Sequence, residues 1–500
     1  MTFSRSLITA VLFVSLIGPV TAQDAGPVIV IAAAAKAMGA DTLNSISYYG
    51  SAANFNFGQS NHPSGPWPRT NLDDYRRAID FRQPASRATA VTFASPVQGG
   101  PAVQGAFQQN ITAQTAGAQQ LEIWITPWGF LKGAAANSAT VRTQGAGPAR
   151  QHVVTWIAPI KSPGGQPYRL VGYINAATNL VDRVETWVEH PIFGDLQVEV
   201  TYSSWRDNNG LKFPSVIVQR RGGWPTFEAQ ILHATANPAN IQELLTPPPP
   251  AAGRAGGPGG GGPGGAAGFA PAGPTTTSEK LAEGVYRITG GYVALAVEFK
   301  DHIFIFEGGP QNEARALTIL ATAKSLMPNK PVKYAAISHH HADHTSGIGA
   351  LVAEGTTIVM HESNKPYFDR ALGAPRTLAP DAMAKSGKKP IIETVGDKRV
   401  FQDGTHTVEL HHIKGLPHAD SMLIAYLPKE RIIAYADMFN MPAPNAPPPT
   451  EANIAHVVMV DNLERLKLDY DTVVSVHAPT PDRPIRKADI YATIPGRVAK

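Results

Sequence analysis

Apolar and polar residues alternate along several stretches in the first half of the chain. In Leu196–Tyr202 every second residue is apolar, which is typical of a strand with one buried face. Asp-Asn-Asn-Gly at 207–210 predicts a turn before the next strand. Other stretches with strand character are Leu121–Phe130, Val153–Ile160, Ser215–Gln219 and Phe227–His233. Helical periodicity is limited to Ala32–Met38, so the pattern predicts a mainly antiparallel β domain over residues 27–246.

The second half of the chain mixes short apolar stretches with amphipathic ones. Glu313–Leu326 and residues 347–354 have helical periodicity. The strands predicted around them are Val285–Thr289, Ala294–Phe299, His302–Phe306, Val332–Ile337, Thr357–Met360, Val408–His412, Ser421–Leu427 and Arg431–Tyr435. Hairpins interleaved with helices predict a layered α/β fold with the helices outside.

The composition changes between the two halves. From Pro247 to about Ser278 proline and glycine dominate, in runs such as Gly-Gly-Pro-Gly-Gly-Gly-Gly. Such a segment cannot bury apolar surface, so residues 247–279 are predicted to be a flexible linker. The 500 residues are enough for two domains, which the linker would separate into residues 27–246 and 280–500.

The amino terminus is typical of a secretory signal peptide. Arg5 precedes the apolar stretch Leu7–Ile17, and a cleavage site of small residues ends at Ala22. Residues 1–22 are therefore predicted to be removed from a periplasmic or secreted protein. A membrane anchor is the alternative, but the apolar stretch is shorter than the roughly 20 residues that span a bilayer. No transmembrane segment is expected in the mature chain.

Charge and cysteine content narrow the chemistry. The chain has 43 Lys and Arg against 39 Asp and Glu, without a basic run, so nothing favours nucleic-acid binding. The absence of cysteine removes disulfides, thiol nucleophiles and thiolate metal ligands. Any bound metal must be held by histidine and carboxylate side chains.

The densest group of candidate metal ligands follows the predicted strand Val332–Ile337. Four metal-capable side chains fall within six positions: His339, His341, Asp343 and His344. Imidazole and carboxylate suit zinc, or iron and manganese where oxygen ligands are more numerous. A turn at the carboxyl end of a buried strand is where α/β sheets place their sites. The alternative interpretation is a polar, histidine-rich surface loop.

Three later segments complete a pattern that resembles a known family. They are the turn Gly415–His418, the strand Ile432–Asp437 that ends in an aspartate, and the strand Val473–His477 that ends in a histidine. Together with His-x-His-x-Asp-His, they make residues 280–485 resemble the metallo-β-lactamase superfamily. The resemblance implies an αββα sandwich with metals at one edge between its two sheets.

The resemblance also implies ligands for two metal ions. Those implied for one ion are His339, His341 and His418. Those implied for the second ion are Asp343, His344 and His477, with Asp437 bridging both. The implied cofactor is two Zn²⁺ per chain, with iron or manganese as alternatives, and the implied nucleophile is a metal-bridging hydroxide. Asp343 is also expected to be catalytic, by orienting that nucleophile and handling its proton.

The other histidines and one glutamate receive separate predictions. His340 alternates with the ligand positions and should point away from the site. Six histidines without motif context are predicted to be surface residues or to support the ligands from behind: His302, His361, His406, His411, His412 and His456. Glu307 ends a strand where the family often has an aspartate, and its longer side chain could still hydrogen bond to a ligand histidine.

No sequence motif identifies the surface that would bind a substrate or a partner. Six tryptophans fit either a ligand groove or the core of an antiparallel sheet: Trp124, Trp128, Trp156, Trp187, Trp205 and Trp224. The proline-rich segment Met438–Thr450 directly follows Asp437 and is either a pocket wall or a plain connector. Asn364–Pro390 is another candidate rim of the pocket.

The family resemblance narrows the predicted function. An aspartate at the position of Asp437 is found in thioesterase- and lactonase-like members, and the lack of cysteine excludes the lactamases with a cysteine ligand. The prediction is a periplasmic or secreted dinuclear zinc hydrolase with a small-molecule substrate, acting on an ester, lactone, thioester or amide carbonyl. The alternatives are an auxiliary β-lactamase and a non-catalytic envelope-binding protein with a metal site. The sequence indicates no partner for the amino-terminal domain.

Overall fold

The computed structural model describes residues 26–94, 103–248 and 276–499. The predicted signal peptide and residues 249–275 of the predicted linker lie outside these described residues. The described parts form an amino-terminal β domain and a carboxyl-terminal α/β domain, which contact each other. Within the described residues, no helix is both long enough and apolar enough to cross a membrane.

The amino-terminal domain is built on one antiparallel sheet of 11 strands. In chain order these are β1 (Ser45–Phe55), β2 (Arg69–Asp80), β3 (Ala85–Ala94), β4 (Val103–Ile111), β5 (Thr140–Gln144), β6 (Gln151–Lys161), β7 (Pro167–Asn175), β8 (Val181–His190), β9 (Gly194–Asn208), β10 (Leu211–Arg221) and β11 (Trp224–Ala236). Their order in the sheet is β4-β3-β2-β1-β11-β10-β9-β8-β7-β6-β5. Only the pairing of β1 with β11 joins strands that are distant in the chain, and the predicted antiparallel β domain is confirmed.

Strand β9 shows how the sequence produces this sheet. The apolar residues of Leu196–Tyr202 are buried and the residues between them are half-exposed, as their alternation predicts. Beyond β9, Asn209 and Gly210 have positive φ angles of 55° and 84°, which a two-residue hairpin turn requires and Asn-Gly readily adopts. Strand β10 therefore folds back directly onto β9, with Leu211 opposite Asn208.

Four helices accompany this sheet in the described residues: α1 (Pro27–Met38), α2 (Gly117–Trp124), α3 (Pro127–Ala136) and α4 (Ile241–Leu245). The strand prediction for Leu121–Phe130 is wrong, because this stretch forms the end of α2 and the start of α3. The Thr126 hydroxyl accepts a hydrogen bond from the Gly129 N–H and Pro127 opens the helix, so α3 begins there. Periodicity alone does not distinguish a short apolar run in a strand from one in a buried helix.

Most of the tryptophans lie in the core of this domain. Trp128 and Trp156 are fully buried, and the rings of Trp124 and Trp156 meet edge to face at 5.9 Å. The core interpretation holds for Trp124, Trp128, Trp156, Trp187 and Trp205. Trp224 is half-buried at the start of β11.

The carboxyl-terminal domain contains two sheets. The seven-stranded sheet consists of β12 (Ser278–Ala282), β13 (Val285–Ile288), β14 (Ala294–Glu298), β15 (Ile303–Phe306), β16 (Val332–Ala336), β17 (Thr357–His361) and β18 (Ile392–Val395). The six-stranded sheet consists of β19 (Lys398–Gln402), β20 (Thr407–His412), β21 (Leu423–Leu427), β22 (Ile432–Tyr435), β23 (Thr472–Ser475) and β24 (Ile485–Arg486). Strands β15 to β18 are parallel to one another, as are β22 and β23.

Seven helices accompany the two sheets in the described residues. They are α5 (Glu313–Leu326), α6 (Ala342–Thr345), α7 (Ile348–Glu354), α8 (Lys365–Gly373), α9 (Ala382–Ser386), α10 (Ile454–Arg465) and α11 (Lys487–Tyr491). On β15, Ile303 and Ile305 share a core with α5 and α7, whereas Phe304 and Phe306 lie in the core between the sheets. A strand covered on both faces is therefore apolar throughout. Helices α10 and α11 pack on the six-stranded sheet, which completes the predicted αββα sandwich.

Candidate metal centre

The histidine-rich turn follows β16 and leads into the short helix α6. His339 and His341 precede the helix, and Asp343 and His344 lie within it. Because β16 is parallel to both of its neighbours, its carboxyl end lies at the edge of the sheet where α/β folds place their sites. The turn therefore brings four candidate ligands to one edge.

The other three candidate ligands come from the second sheet. Asp437 lies two residues beyond β22 and His477 two residues beyond β23, and these strands are parallel, so both residues leave at the same end. His418 lies in the connection between β20 and β21. Asp437 has a positive φ of 51°, and such a backbone costs a non-glycine residue on the order of 1–3 kcal/mol. Strain of this kind is concentrated at functional sites.

The structure gathers all seven candidate ligands into two adjoining groups. Within each group the ligand atoms lie within 4.8 Å of one another. The first group is His339, His341 and His418, and the second is Asp343, His344, Asp437 and His477. The Nε2 atoms of His339 and His418 are 3.2 Å apart, and those of His344 and His477 are 3.3 Å apart.

The Asp437 carboxylate lies between the two groups. Its Oδ2 is 2.6 Å from Nε2 of His344 and 3.7 Å from Nε2 of His339. Its Oδ1 is 3.1 Å from Nε2 of His477. One carboxylate thus lies near nitrogen atoms of both groups, as a bridging ligand must.

Glu307 orients His344 from the side that faces away from the other candidate ligands. The seven candidate ligands together are called the cluster below. Its Oε2 accepts a hydrogen bond from Nδ1 of His344 at 2.8 Å, and its Oε1 accepts one from the Ser338 N–H at 2.7 Å. Because a carboxylate only accepts, the proton of His344 lies on Nδ1, and the lone pair of Nε2 faces the cluster. The hydrogen bond considered for Glu307 from the sequence is therefore present.

Two side chains that contact the cluster were not predicted from the sequence. The Tyr292 hydroxyl donates to Oδ2 of Asp343 at 3.2 Å, and the Tyr292 ring meets the His477 ring edge to face at 4.2 Å. Gln59, from the amino-terminal domain, donates to Oδ1 of Asp343 at 3.2 Å. The one signal for Tyr292 is the preceding Gly-Gly pair, which indicates a turn before β14. Gln59 is 284 positions from Asp343 and has no local signal.

Burial keeps the imidazoles of the first group neutral. Burial and repulsion from neighbouring imidazoles hold the pKa of His339 well below its usual range and lower the pKa of His341 to about 3. Burial also lowers the pKa of His418. Neutral imidazole is the form that binds a metal ion, so this group is in its metal-binding form at neutral pH.

The second group carries excess negative charge. Burial opposes protonation of His344, but the carboxylates of Asp343, Glu307 and Asp437 raise its pKa well above the usual range. Burial likewise opposes ionisation of Asp437, but His344 and His477 hold its pKa well below the usual range. Three carboxylates around one imidazole favour a further cation at this position, and such a cation would take the place of a second proton on His344.

The donor set fits divalent metal ions. The Nδ1 atom of His341 is buried and has no hydrogen-bond partner among the described residues, while its Nε2 is hydrogen bonded to the Ser60 carbonyl oxygen. A lone pair held in this way suits metal coordination. Nitrogen and oxygen ligands without cysteine match zinc, iron or manganese.

The remaining histidines of the described residues lie outside both groups. His340 points away, with its Nε2 3.4 Å from Oγ of Ser60 and its ring facing Tyr367. Most of the six histidines without motif context are buried, contrary to a surface position: His302, His361, His406, His411 and His456. Several have acidic partners, as in the pair of His406 with Glu430 at 2.9 Å.

The two candidate rims differ in their surroundings. Met438 and Phe439 are buried, whereas residues 442–450 are exposed. The segment Asn364–Pro390 contains α8 and α9 and packs on the amino-terminal domain through Tyr367. A role of either segment as a pocket wall stays a prediction.

The chain matches a model of a known protein family. The sequence model of the metallo-beta-lactamase superfamily matches residues 290–477, which include all seven candidate ligands. Members of this superfamily are mostly metal-dependent hydrolases. A search of curated proteins found no match to the chain.

Solved structures similar to this chain include a metallo-beta-lactamase from Pontibacter korlensis, at 16% identity and a TM-score of 0.33, covering 44% of this chain and 97% of the other. A metallo-beta-lactamase from Hirschia baltica is 17% identical with a TM-score of 0.32, covering 44% of this chain and 98% of the other. A flavodiiron protein from Giardia intestinalis is 15% identical with a TM-score of 0.29, covering 40% of this chain and 54% of the other.

Proposed function

Residues 290–477 belong to the metallo-beta-lactamase superfamily, and from this premise we propose that the chain is a dinuclear metal hydrolase. The proposed substrate is a small molecule with an ester, lactone, thioester or amide carbonyl. The observation that carries the proposal is the convergence of seven histidine and aspartate side chains into two adjoining groups. A complete ligand set argues against the alternative of a non-catalytic binding protein.

Two zinc ions per chain are the proposed cofactor, with iron or manganese as alternatives. Divalent ions bound here would polarise a carbonyl oxygen and lower the pKa of a water molecule to about 7. The residues proposed to hold the first ion are His339, His341 and His418. Those proposed for the second are Asp343, His344 and His477, with Asp437 between the two ions.

Asp343 is proposed to orient the attacking water molecule. Although burial opposes ionisation, His344 holds the pKa of Asp343 well below its usual range, so Asp343 is a charged hydrogen-bond acceptor at neutral pH. Gln59 and Tyr292 each donate to one of its oxygens, which fixes the plane of the carboxylate. Burial raises the pKa of Tyr292, so its hydroxyl remains a donor beside the cluster.

A periplasmic or secreted location is part of the proposal. It is supported by the charged start, the apolar stretch and the small-residue cleavage site within residues 1–22. Cell fractionation and amino-terminal sequencing of the purified protein test it. A cytoplasmic protein that retains residues 1–22 would contradict it.

The function is tested by metal analysis and a substrate panel on the full-length protein. We expect about two zinc ions per chain and turnover of one class among lactones, thioesters, esters and amides. Turnover of β-lactams alone would favour the auxiliary β-lactamase instead, and no metal uptake from zinc-containing buffer would overturn the proposal. His233→Ala, a histidine substitution in β11, is the control for His339→Ala and should keep both metal and turnover.

A further inference from the structure

The connection between β1 and β2 extends from the amino-terminal domain to the candidate metal centre. We propose that Gln59, Ser60 and Asn61 of this connection position three ligand-bearing parts of the carboxyl-terminal domain, so that both domains build one metal centre. This inference rests on the proposed dinuclear site. It assigns the amino-terminal domain a positioning role in that site.

The first contact fixes the tautomer of His341. Its Nε2 lies 2.9 Å from the carbonyl oxygen of Ser60. A carbonyl oxygen only accepts, so His341 carries its proton on Nε2 and directs the lone pair of Nδ1 into the cluster. Ser60 is itself buried, with 1% of its surface exposed, so solvent does not compete for this hydrogen bond.

The second contact holds the Asp343 carboxylate. The Gln59 side-chain amide donates to Oδ1 from one domain, and the Tyr292 hydroxyl donates to Oδ2 from the other. Donors on both oxygens restrict rotation of the carboxylate. The direction of Asp343 is therefore set jointly by the two domains.

The third contact holds the turn that carries His418. The Asn61 side-chain amide donates to the carbonyl oxygens of Leu416 and Pro417, each at 2.9 Å. The Asp420 N–H donates in return to the carbonyl oxygen of Asn61 at 2.9 Å. These hydrogen bonds flank His418 on both sides, and all of them depend on the position of Asn61.

An aromatic interface holds the connection in place. The Phe57 ring packs edge to face on Trp67 at 3.9 Å and on Phe193 at 5.3 Å. The Phe193 ring then meets Tyr367 of the carboxyl-terminal domain at 5.2 Å. Edge-to-face contacts of this kind add to the stabilisation from burying the rings. The position of residues 59–61 is therefore determined by the packing of one domain on the other.

Polar contacts reinforce the same interface. Arg376 donates to the Pro191 carbonyl oxygen at 2.9 Å, and the Asp195 carboxylate accepts from the backbone N–H groups of Thr377 and Leu378 at 2.9 Å. Each of these contacts joins the two domains. These contacts hold the connection between β1 and β2 beside the candidate metal ligands.

The test is a Co²⁺ titration of the metal-free, full-length protein, followed by visible absorption. Gln59→Met removes the donor to Asp343 at similar length, and Asn61→Ala removes the side-chain hydrogen bonds beside His418. We expect each variant to bind Co²⁺ about tenfold more weakly, because partners behind metal ligands are worth roughly 10–100-fold in affinity. The spectrum at saturation should also change, since the ligand geometry changes.

Asn56→Ala is the matched control. Asn56 is exposed and takes part in the same connection through backbone hydrogen bonds with Pro68 and Gln59, so this variant should bind Co²⁺ as the wild type does. Tryptophan fluorescence of each metal-free variant reports whether the amino-terminal domain stays folded.

Three outcomes of these experiments would overturn the proposal. Unchanged affinity and an unchanged saturated spectrum in both Gln59→Met and Asn61→Ala would overturn the positioning role while leaving the dinuclear site intact. A metal-free variant of lower stability that shows the wild-type spectrum at Co²⁺ saturation would also overturn it. Its substitution would then affect folding and leave the ligand geometry unchanged. A wild-type protein that binds no Co²⁺ would overturn the proposed function together with this inference.

Discussion

Both domains bury charged side chains, but they balance these charges in different ways. In the amino-terminal domain Glu122 pairs with Arg221 at 3.1 Å and also accepts a hydrogen bond from Gln219. In the carboxyl-terminal domain, by contrast, the three carboxylates of Asp343, Glu307 and Asp437 surround the single imidazole of His344. A buried carboxylate that pairs with a guanidinium is neutralised within the protein, whereas an excess of buried carboxylates favours a bound cation. The difference separates a structural ion pair from a candidate metal centre.

The two clusters also differ in where they lie. Glu122 lies on α2, and its partners lie on β10 within the large sheet. The carboxyl-terminal cluster lies beyond the ends of β16, β22 and β23, at the edge of both sheets. Strand ends at a sheet edge leave side chains free to face a ligand, whereas Glu122 and Arg221 are buried between α2 and β10. Position in the fold therefore supports the same distinction as charge.

Removal of a ligand from the carboxyl-terminal cluster should have the largest effect. We expect His339→Ala and Asp437→Ala each to lower metal affinity and turnover by more than about 100-fold, since even partners behind the ligands are worth 10–100-fold. Metal content by mass spectrometry and turnover of the best substrate in the panel measure this loss. A variant that keeps two ions and full turnover would show that these residues are not ligands.

Breaking the amino-terminal ion pair should destabilise that domain without affecting metal binding. Glu122→Gln removes a buried carboxylate that pairs with Arg221, which should cost on the order of 3 kcal/mol of unfolding free energy. All seven tryptophans of the chain lie in this domain, so urea unfolding followed by tryptophan fluorescence reports on it alone. Glu243→Gln, at an exposed position of α4, is the control and should change stability by less than about 0.5 kcal/mol. Weakened metal binding in Glu122→Gln would contradict the separation of the two clusters.

Glu307→Gln should have an intermediate effect that is confined to the metal centre. Glutamine is a weaker acceptor than the carboxylate for Nδ1 of His344, so we expect metal affinity to fall about tenfold. Competition with a chromophoric chelator measures this affinity. Glu298→Gln, which changes a carboxylate at the end of β14 that pairs with Lys330, should leave metal affinity unchanged. Equal losses in both variants would indicate a general charge effect.

Acidification should weaken the amino-terminal domain through His190. Burial, with Arg221 and Arg376, lowers the pKa of His190 to about 3, whereas an unfolded histidine has a pKa near 6.5. The unfolded chain therefore takes up a proton first, so stability is full above about pH 6.5 and falls as the pH decreases toward 3. Between pH 6.5 and 5 this group should account for about 2 kcal/mol.

The matched variant for this pH dependence is His190→Asn. Its side-chain oxygen can still accept from the Ile192 N–H, which His190 binds through Nδ1 at 3.2 Å. The variant should lose less stability between pH 6.5 and 5 than the wild type, as measured by urea unfolding with tryptophan fluorescence. Parallel pH profiles for the two proteins would show that His190 is not the responsible group.

The sequence predictions that the structure confirmed depend on local sequence patterns. The alternation in Leu196–Tyr202 and the turn at Asn209 and Gly210 depend on the burial and backbone geometry of neighbouring residues, and both are present. The prediction for Leu121–Phe130 was wrong because its apolar run fits a strand or a buried helix equally well. Thr126 and Pro127, which begin α3, were the signal for the helix.

The candidate ligands themselves were readable from the sequence. A motif such as His-x-His-x-Asp-His is local, and the other ligands each end a recognisable strand or turn, so all seven could be named before their distances were known. The approach of Asp437 to His477 follows from the parallel strands β22 and β23, which end at one edge. The division of the chain by a flexible linker stays a prediction from composition.

Only the tertiary structure showed what surrounds the ligands. The sequence by itself determined the fold class of each domain and identified the candidate ligands, because burial patterns and ligand spacing are expressed over a few residues. It did not reveal that Gln59 and Ser60 contact Asp343 and His341, more than 280 positions away. Those contacts depend on how the folded surfaces of two domains pack, and a surface assembled from distant residues has no signature within any one segment.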